Sequence, residues 1–284
     1  MSRFSFDRQV TPNFKKDKMK SASRVTSLQL AGKMARGADC VLTVFVAFIL
    51  VLIFLYSCFA LWDTWRIYDR AGVDDSLLRY KPQLDGNADS YGFTDLMAIN
   101  SDVCAWLTVE DTHIDYPVVQ GDDNMCYVNT DVYGEFSLSG SIFLDFRNNR
   151  DFSDTYSLIY GHHMDGEVMF GELDNFVQLD YFEEHPTGIL YLPESICEIE
   201  WFACLKVDAY DQQIFSPGNF SKTEQESLLM YIRENALQYR DIGVTNEDRI
   251  LSLSTCSDAS TNARIILVGR LSTMKSEKGD ERIG

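Results

Sequence analysis

The sequence predicts a mostly β fold: a closed barrel of seven or eight short strands, with helices before it and one helix inserted late. Three observations lead there. From about Asp102 the chain breaks into short apolar runs separated by turn residues, a texture that suits a barrel better than a helical bundle. Near Leu228 one stretch has the three-to-four period of a helix. There are no internal repeats and no low-complexity tracts, which sets solenoids aside.

The elements follow in order. Asp63 to about Asn100 has helical spacing in "WRIYDRAGVDDSLLRY" and "YGFTDLMAIN", broken by "KPQLDGNADS". A helical spacer over 63–100 therefore leads into a main domain over 101–284. "AWLTVEDTHIDYPVVQG" alternates apolar and polar residues around a turn at "EDT". "SGSIFLDF" enters a strand from Gly140, "YSLIYGHH" ends a strand at two histidines, and "GILYLP" and "CEIEWFACLKVDAY" supply two more. "SKTEQESLLMYIRENALQYR" is helical from Leu228 to Leu237. Its N-cap is Ser221, with Glu224 three residues on, the pattern of a capping box. Two last strands, "LSLSTC" and "RIILVGRL", flank the loop "SDASTNA".

Charge divides the chain. The net charge is −18, yet residues 1–40 carry nine Lys/Arg against three Asp/Glu. A basic head on an acidic body is the asymmetry of a chain that crosses a membrane. "VLTVFVAFILVLIFLYSCFALW", Val41 to Trp62, is an uncharged run of 22 residues, long enough to span a hydrocarbon core as a helix. Lys33 and Arg36 flank one end, and Tyr56 and Trp62 suit the interface at the other. The positive-inside bias places a basic tail, 1–40, in the cytoplasm and the acidic domain outside. The head is expected to be mostly without regular structure. A cleaved leader would have a shorter apolar core and a shorter head. The bilayer is an expected partner and nucleic acid is not.

Seven cysteines in a partly external chain invite a disulfide reading. Cys40 and Cys58 fall in or beside the apolar run. Cys104, Cys126, Cys197, Cys204 and Cys256 remain, an odd number with no framework spacing. No paired Cys/His motif suggests zinc, so no metal and no cofactor are expected. Buried apolar packing is the expectation for all of these but Cys256. Cys256 ends a strand, and Arg264 opens the next one eight positions on. A hairpin there would bring a fixed cation to a thiol, an arrangement that favours thiolate or oxyanion. Alternatively Arg264 pairs with Asp258 and caps the hairpin. Among four histidines, His113 and His185 read as surface residues, whereas His162 and His163 end a strand. Neighbouring strand ends of a barrel meet, so His162 and Cys256 form a candidate base and nucleophile pair.

"SLSTC" followed by "RIILVGRL", together with "YGHHMDGEVMFGELDNF", resembles the sortase family, and class B sortases in particular. The family signature is Thr-Leu-x-Thr-Cys with an arginine on the following strand. Here Ser252 replaces the first threonine, while Leu253, Thr255 and Cys256 match. The late helix sits where class B members insert one. The likeness runs from about Asn100 to Leu271.

The resemblance implies a sortase-type barrel and a membrane-anchored cysteine transpeptidase. Cys256 would be the nucleophile, His162 the catalytic histidine and Arg264 the oxyanion-supporting arginine. Tyr160, Ser254 and Ser257 would line the substrate groove. Ser257 stands where some relatives have glutamate, and the role of Asp258 is open. The implied donor is the sorting signal of an exported protein, often of Asn-Pro-x-Thr type, cleaved at threonine. The implied acceptor is an amine of a peptidoglycan precursor. Three rivals stay open: a pilin-polymerising class C sortase, a cysteine protease, and a binding module with an inert thiol.

Overall fold

The structure, a computed structural model, describes residues 14–73, 75–82, 92–256 and 262–274. The chain divides into two compact units, Met1–Asp63 and Thr64–Gly284.

Helix α1, Phe14–Ala71, runs for 58 residues. Its stretch Arg24–Tyr68 is long and apolar enough to cross a membrane, and none of its most apolar window is buried against protein. Residues 14–40 were expected to lack regular structure; all but the first thirteen of the head are helical. The segment is rich in Lys, Ala, Met, Leu and Gln, all strong helix formers. It continues a helix already nucleated by the apolar run, so no amphipathic period is needed to start it.

The second unit is a nine-stranded sheet. Short helices α2, Asp75–Leu78, and α3, Phe93–Ile99, precede it. Then come β1 (Val103–Val109), β2 (Asp115–Val119), β3 (Ile142–Leu144) and β4 (Tyr156–Tyr160). A 3₁₀ turn, Gly171–Val177, and α4, Leu179–Glu184, lead to β5 (Thr187–Tyr191) and β6 (Ile196–Asp208). Helix α5, Lys222–Asn235, is followed by β7 (Ala236–Tyr239), β8 (Arg249–Cys256) and β9 (Ala263–Thr273). The order is β5-β1-β2-β3-β4-β8-β9-β6, and pairing of β5 with β6 closes an eight-stranded barrel; β7 adds to β6 as a ninth strand. Most pairs are antiparallel, but β2–β3 and β4–β8 are parallel. The second of these matters most: it carries the C-terminal ends of β4 and β8 to the same rim.

Alternation along the strands builds two cores. Leu107, Phe170, Phe176, Trp201, Leu253 and Leu267 fill the barrel. Phe202, Leu205, Ile250 and Ile266 point outward and are covered by Leu228 and Ile232 of α5. The capping box holds as expected: Ser221 Oγ accepts from the Glu224 amide, and the Glu224 carboxylate accepts from Ser221 N. The helix ends sooner than its sequence suggests. Ala236 to Tyr239 pairs with Ala203–Leu205 of β6 instead, because an open sheet edge offers backbone hydrogen bonds that a further helical turn would not. The spacer helices dock through Leu96, fully buried, and Leu77. Burial of a leucine contributes about 1.5–3 kcal/mol.

Candidate active site

The site begins with strand register. On the parallel pair, Tyr160 of β4 lies opposite Ser254 of β8, and Gly161 N donates to Ser254 O at 3.1 Å. Two residues further along each strand stand His162 and Cys256. On the antiparallel side Cys256 pairs directly with Arg264 of β9. Adjacent strands run about 4.8 Å apart. Three residues far apart in sequence therefore share one row of the sheet at one rim.

A groove of about 420 Å³ opens at that rim. Its walls are the ends of β4 and β8 (Tyr160, His162, Ser254, Thr255), the start of β9 (Arg264), the β2–β3 loop (Asn124, Met125, Val128) and the β6–α5 loop (Ala209, Phe215). Of the expected site residues, Tyr160, His162, Ser254 and Arg264 are brought together here. Cys256 is placed by its backbone beside Arg264. Ser257 and Asp258 lie outside the described residues, and with them the alternative pairing of Arg264.

His162 is held by its ring. Its Nε2 is 2.8 Å from the Val128 carbonyl. A carbonyl oxygen only accepts, so Nε2 carries a hydrogen and Nδ1 is the nitrogen that changes protonation. Gly140 makes this approach possible. It has φ +58°, and a Cβ there would fall 2.4 Å from Val128 O and 2.6 Å from Tyr127 O. Gly140→Ala is expected to lower unfolding free energy by about 1–3 kcal/mol, from left-handed strain and displacement of this carbonyl. Urea denaturation of the variant measures it, and a midpoint equal to wild type would refute the account.

The other histidines are employed elsewhere. His163 Nε2 meets Asp174 Oδ2 at 3.1 Å. His113 is exposed, with Nδ1 3.4 Å from Glu167 and 3.3 Å from Glu172. His185, expected at the surface, is only 9% exposed. It stacks on Tyr181 at 4.0 Å, and its Nδ1 lies 2.7 Å from the Tyr181 carbonyl; its acidic flank gave no hint of an aromatic partner four residues back.

Cys40, Cys58, Cys104, Cys126, Cys197 and Cys204 are all free thiols. Cys104, Cys197 and Cys204 are buried as expected. Burial pushes the Cys104 and Cys204 thiols up to about 12, which keeps them protonated and unreactive. Cys126 differs from expectation: it is exposed, with Sγ 3.3 Å from Asp123 Oδ1. It sits in the turn "GDDNMC", where the Asp123 carboxylate accepts from the amides of Met125 and Cys126, a local turn that holds the residue at the surface.

Ser254 is 1% exposed, and its Oγ has no hydrogen-bond partner among the described residues. A buried hydroxyl left open beside a groove is suited to bind whatever enters it. Arg264 is partly buried, with Nη1 3.4 Å from the carbonyl of Ala263. Sequence reasoning missed Asp145, which is fully buried behind Tyr160. Burial alone would raise its carboxyl, but hydrogen bonds from Arg147 and Asn124 outweigh that and hold it below the usual carboxylate range. The only trace in sequence is an Asp-x-Arg at the end of an apolar run, which reads equally well as an exposed turn.

No protein-family model matches the chain. A sortase B of Listeria monocytogenes is 33% identical over 183 residues, 63% of this chain and 73% of that protein. A Streptococcus pyogenes class B sortase involved in pilus biogenesis is 49% identical, with TM-score 0.59, covering 63% of this chain and 97% of that one. Staphylococcus aureus sortase B in a substrate complex is 30% identical, TM-score 0.61, over 64% of this chain and 85% of its own. The same enzyme in complex with triglycine is 29% identical at TM-score 0.61. A closed eight-stranded barrel with these likenesses is that of a sortase, a cysteine transpeptidase. The chain belongs to the class B sortases.

Proposed function

We propose that this sortase cleaves the C-terminal sorting signal of exported proteins at a threonine and transfers the acyl group to an amine. Cys256 attacks the threonine carbonyl as thiolate, forming a C–S bond and a tetrahedral oxyanion. Arg264 offsets the negative charge on that oxygen. The C–N bond then breaks, and the departing nitrogen takes a proton from His162, leaving a thioester. Nε2 of His162 is engaged by the Val128 carbonyl, so the proton comes from Nδ1. A second amine attacks the thioester, gives a proton back to His162 and releases the thiolate. No metal or organic cofactor enters these steps.

The observation that carries this reading is the shared row. Cys256 pairs with Arg264, and His162 and Cys256 each stand two residues beyond the paired Tyr160 and Ser254. Groove roles for Tyr160 and Ser254 follow from their place on its wall, and the open Ser254 hydroxyl suits a donor-peptide amide. Ser257 is proposed for the same wall on the family resemblance alone. The S. aureus substrate and triglycine complexes support a peptide donor and an amine acceptor.

The chain is proposed to sit in the cell membrane by one pass of α1, with 1–40 cytoplasmic, 41–62 in the bilayer and 63–100 as a spacer to an external catalytic domain. Anchoring enzyme and membrane-delayed donor to one surface raises their effective concentration. For the acceptor, a peptidoglycan-precursor amine is the first reading. A second is favoured by the 49% identity to the pilus-biogenesis sortase: the surface proteins handled here include pilus components, and the acceptor is a protein amine.

The test is mass spectrometry of the full chain in detergent with a panel of sorting peptides, with and without amine acceptors. The expected result is a thioester adduct on Cys256 that passes to an amine. An adduct that only hydrolyses would make the enzyme a protease, and a Cys256 inert to all peptides and to alkylation would leave a binding module.

A further inference from the structure

We propose that Asp145 is the positioning residue that sets the shape of the donor groove, acting through Tyr160, Asn124 and Arg147. The inference rests on the transpeptidase reading and goes beyond the residues that reading uses. Asp145 directly follows β3 and is fully buried. Its Oδ2 accepts from Tyr160 Oη at 3.0 Å, from Asn124 Nδ2 at 2.9 Å and from Arg147 Nη2 at 2.7 Å. Its Oδ1 accepts from Arg147 Nε at 2.8 Å and from Arg147 N at 3.0 Å. Arg147 Nη2 also donates to Phe215 O at 2.9 Å, and the Phe215 ring stacks on Tyr160 with centroids 6.4 Å apart and planes 11° apart.

One carboxylate thus ties together three walls that have no covalent reason to keep a fixed separation. Asn124 comes from the β2–β3 loop, Tyr160 from β4, and Phe215 from the β6–α5 loop. A carboxylate is needed for this. Every neighbour is a donor, and two oxygens with four lone-pair directions absorb five donor contacts. Asparagine at 145 would keep the volume but present an N–H₂ to donors on one side, so at least one wall is released. Neither Cys256 nor Arg264 has a hydrogen bond to Asp145 among the described residues. The effect should therefore fall on how the donor peptide is held, not on thiol chemistry.

The experiment is steady-state kinetics of the full chain in detergent with an Asn-Pro-x-Thr donor peptide and triglycine as acceptor, alongside iodoacetamide alkylation of Cys256. For Asp145→Asn the donor KM should rise about tenfold, equivalent to about 1.4 kcal/mol. The acceptor KM, kcat and alkylation rate should stay within about threefold. Tyr160→Phe, which removes one hydroxyl and leaves the ion pair intact, should raise donor KM about threefold. The double variant should be less than additive, since both act on one contact. An unchanged donor KM in a folded Asp145→Asn chain would overturn the proposal, as would a joint loss of kcat and alkylation. If Asp145→Asn does not fold, an unchanged donor KM in Tyr160→Phe overturns it instead. Wild-type enzyme that alkylates but acylates with no peptide would sink the transpeptidase reading and this inference together, a failure distinct from both.

Discussion

Cys256→Ala is expected to lower kcat/KM for sorting-peptide cleavage by at least about ten-thousandfold and to eliminate the thioester adduct, with the fold unchanged. A nucleophile forms a covalent bond in the step it catalyses, so nothing left in the groove substitutes for it; loss of a comparable nucleophile costs about 10⁴ to 10⁶. The other thiols cannot take over. Cys104 and Cys204 are buried and held protonated, and Cys197 is buried as well. Cys126 is exposed, yet its hydrogen bond runs to the Asp123 carboxylate and not to a cation; an anionic neighbour disfavours thiolate. Cys126→Ser should therefore keep full turnover and serve as the control. Retained cleavage in Cys256→Ala, or its loss in Cys126→Ser, would show the nucleophile to be elsewhere. Adduct mapping by peptide mass spectrometry reads both variants.

The parts of this site that are legible in sequence are the local ones. A cysteine at a strand end, an arginine opening the next strand and a histidine ending a third are all visible as strings. So are the Ser221–Glu224 cap and the apolar alternation of β1 and β2. Their meeting depends on the parallel pairing of β4 with β8. That pairing joins segments separated by a 3₁₀ turn, two helices and three strands, and no local pattern encodes it. The family resemblance supplied the pairing that spacing alone left open. Asp145 was missed for the same reason: its partners come from three segments, and a buried aspartate looks like a turn aspartate until its donors are placed. The misread tail of α5 has another cause. "ALQY" has ordinary helix-forming residues at Ala236, Leu237 and Gln238, and the free edge of β6 overrides that preference. His185 was misread because burial by a stacked tyrosine is a contact of tertiary structure.

His162→Gln should separate the two tasks of that histidine. A glutamine amide can still donate to the Val128 carbonyl, as Nε2 of His162 does at 2.8 Å, so the loop geometry is kept. It has no proton to give at neutral pH. General acid catalysis contributes about 10² to 10⁴, and kcat for a peptide donor is expected to fall about a thousandfold. The leaving group decides the interpretation. An amide must be protonated to depart as amine, whereas an activated aryl ester departs as a stable phenolate. With a p-nitrophenyl ester of the same sorting peptide, the variant should lose less than about tenfold. If ester and amide rates fell equally, His162 would be acting before bond cleavage, holding Cys256 as thiolate, and Nδ1 would not be the donor to the leaving nitrogen. If the amide rate did not fall, His162 would have no part in the chemistry, and its bond to Val128 would serve only to pin the β2–β3 loop against the groove.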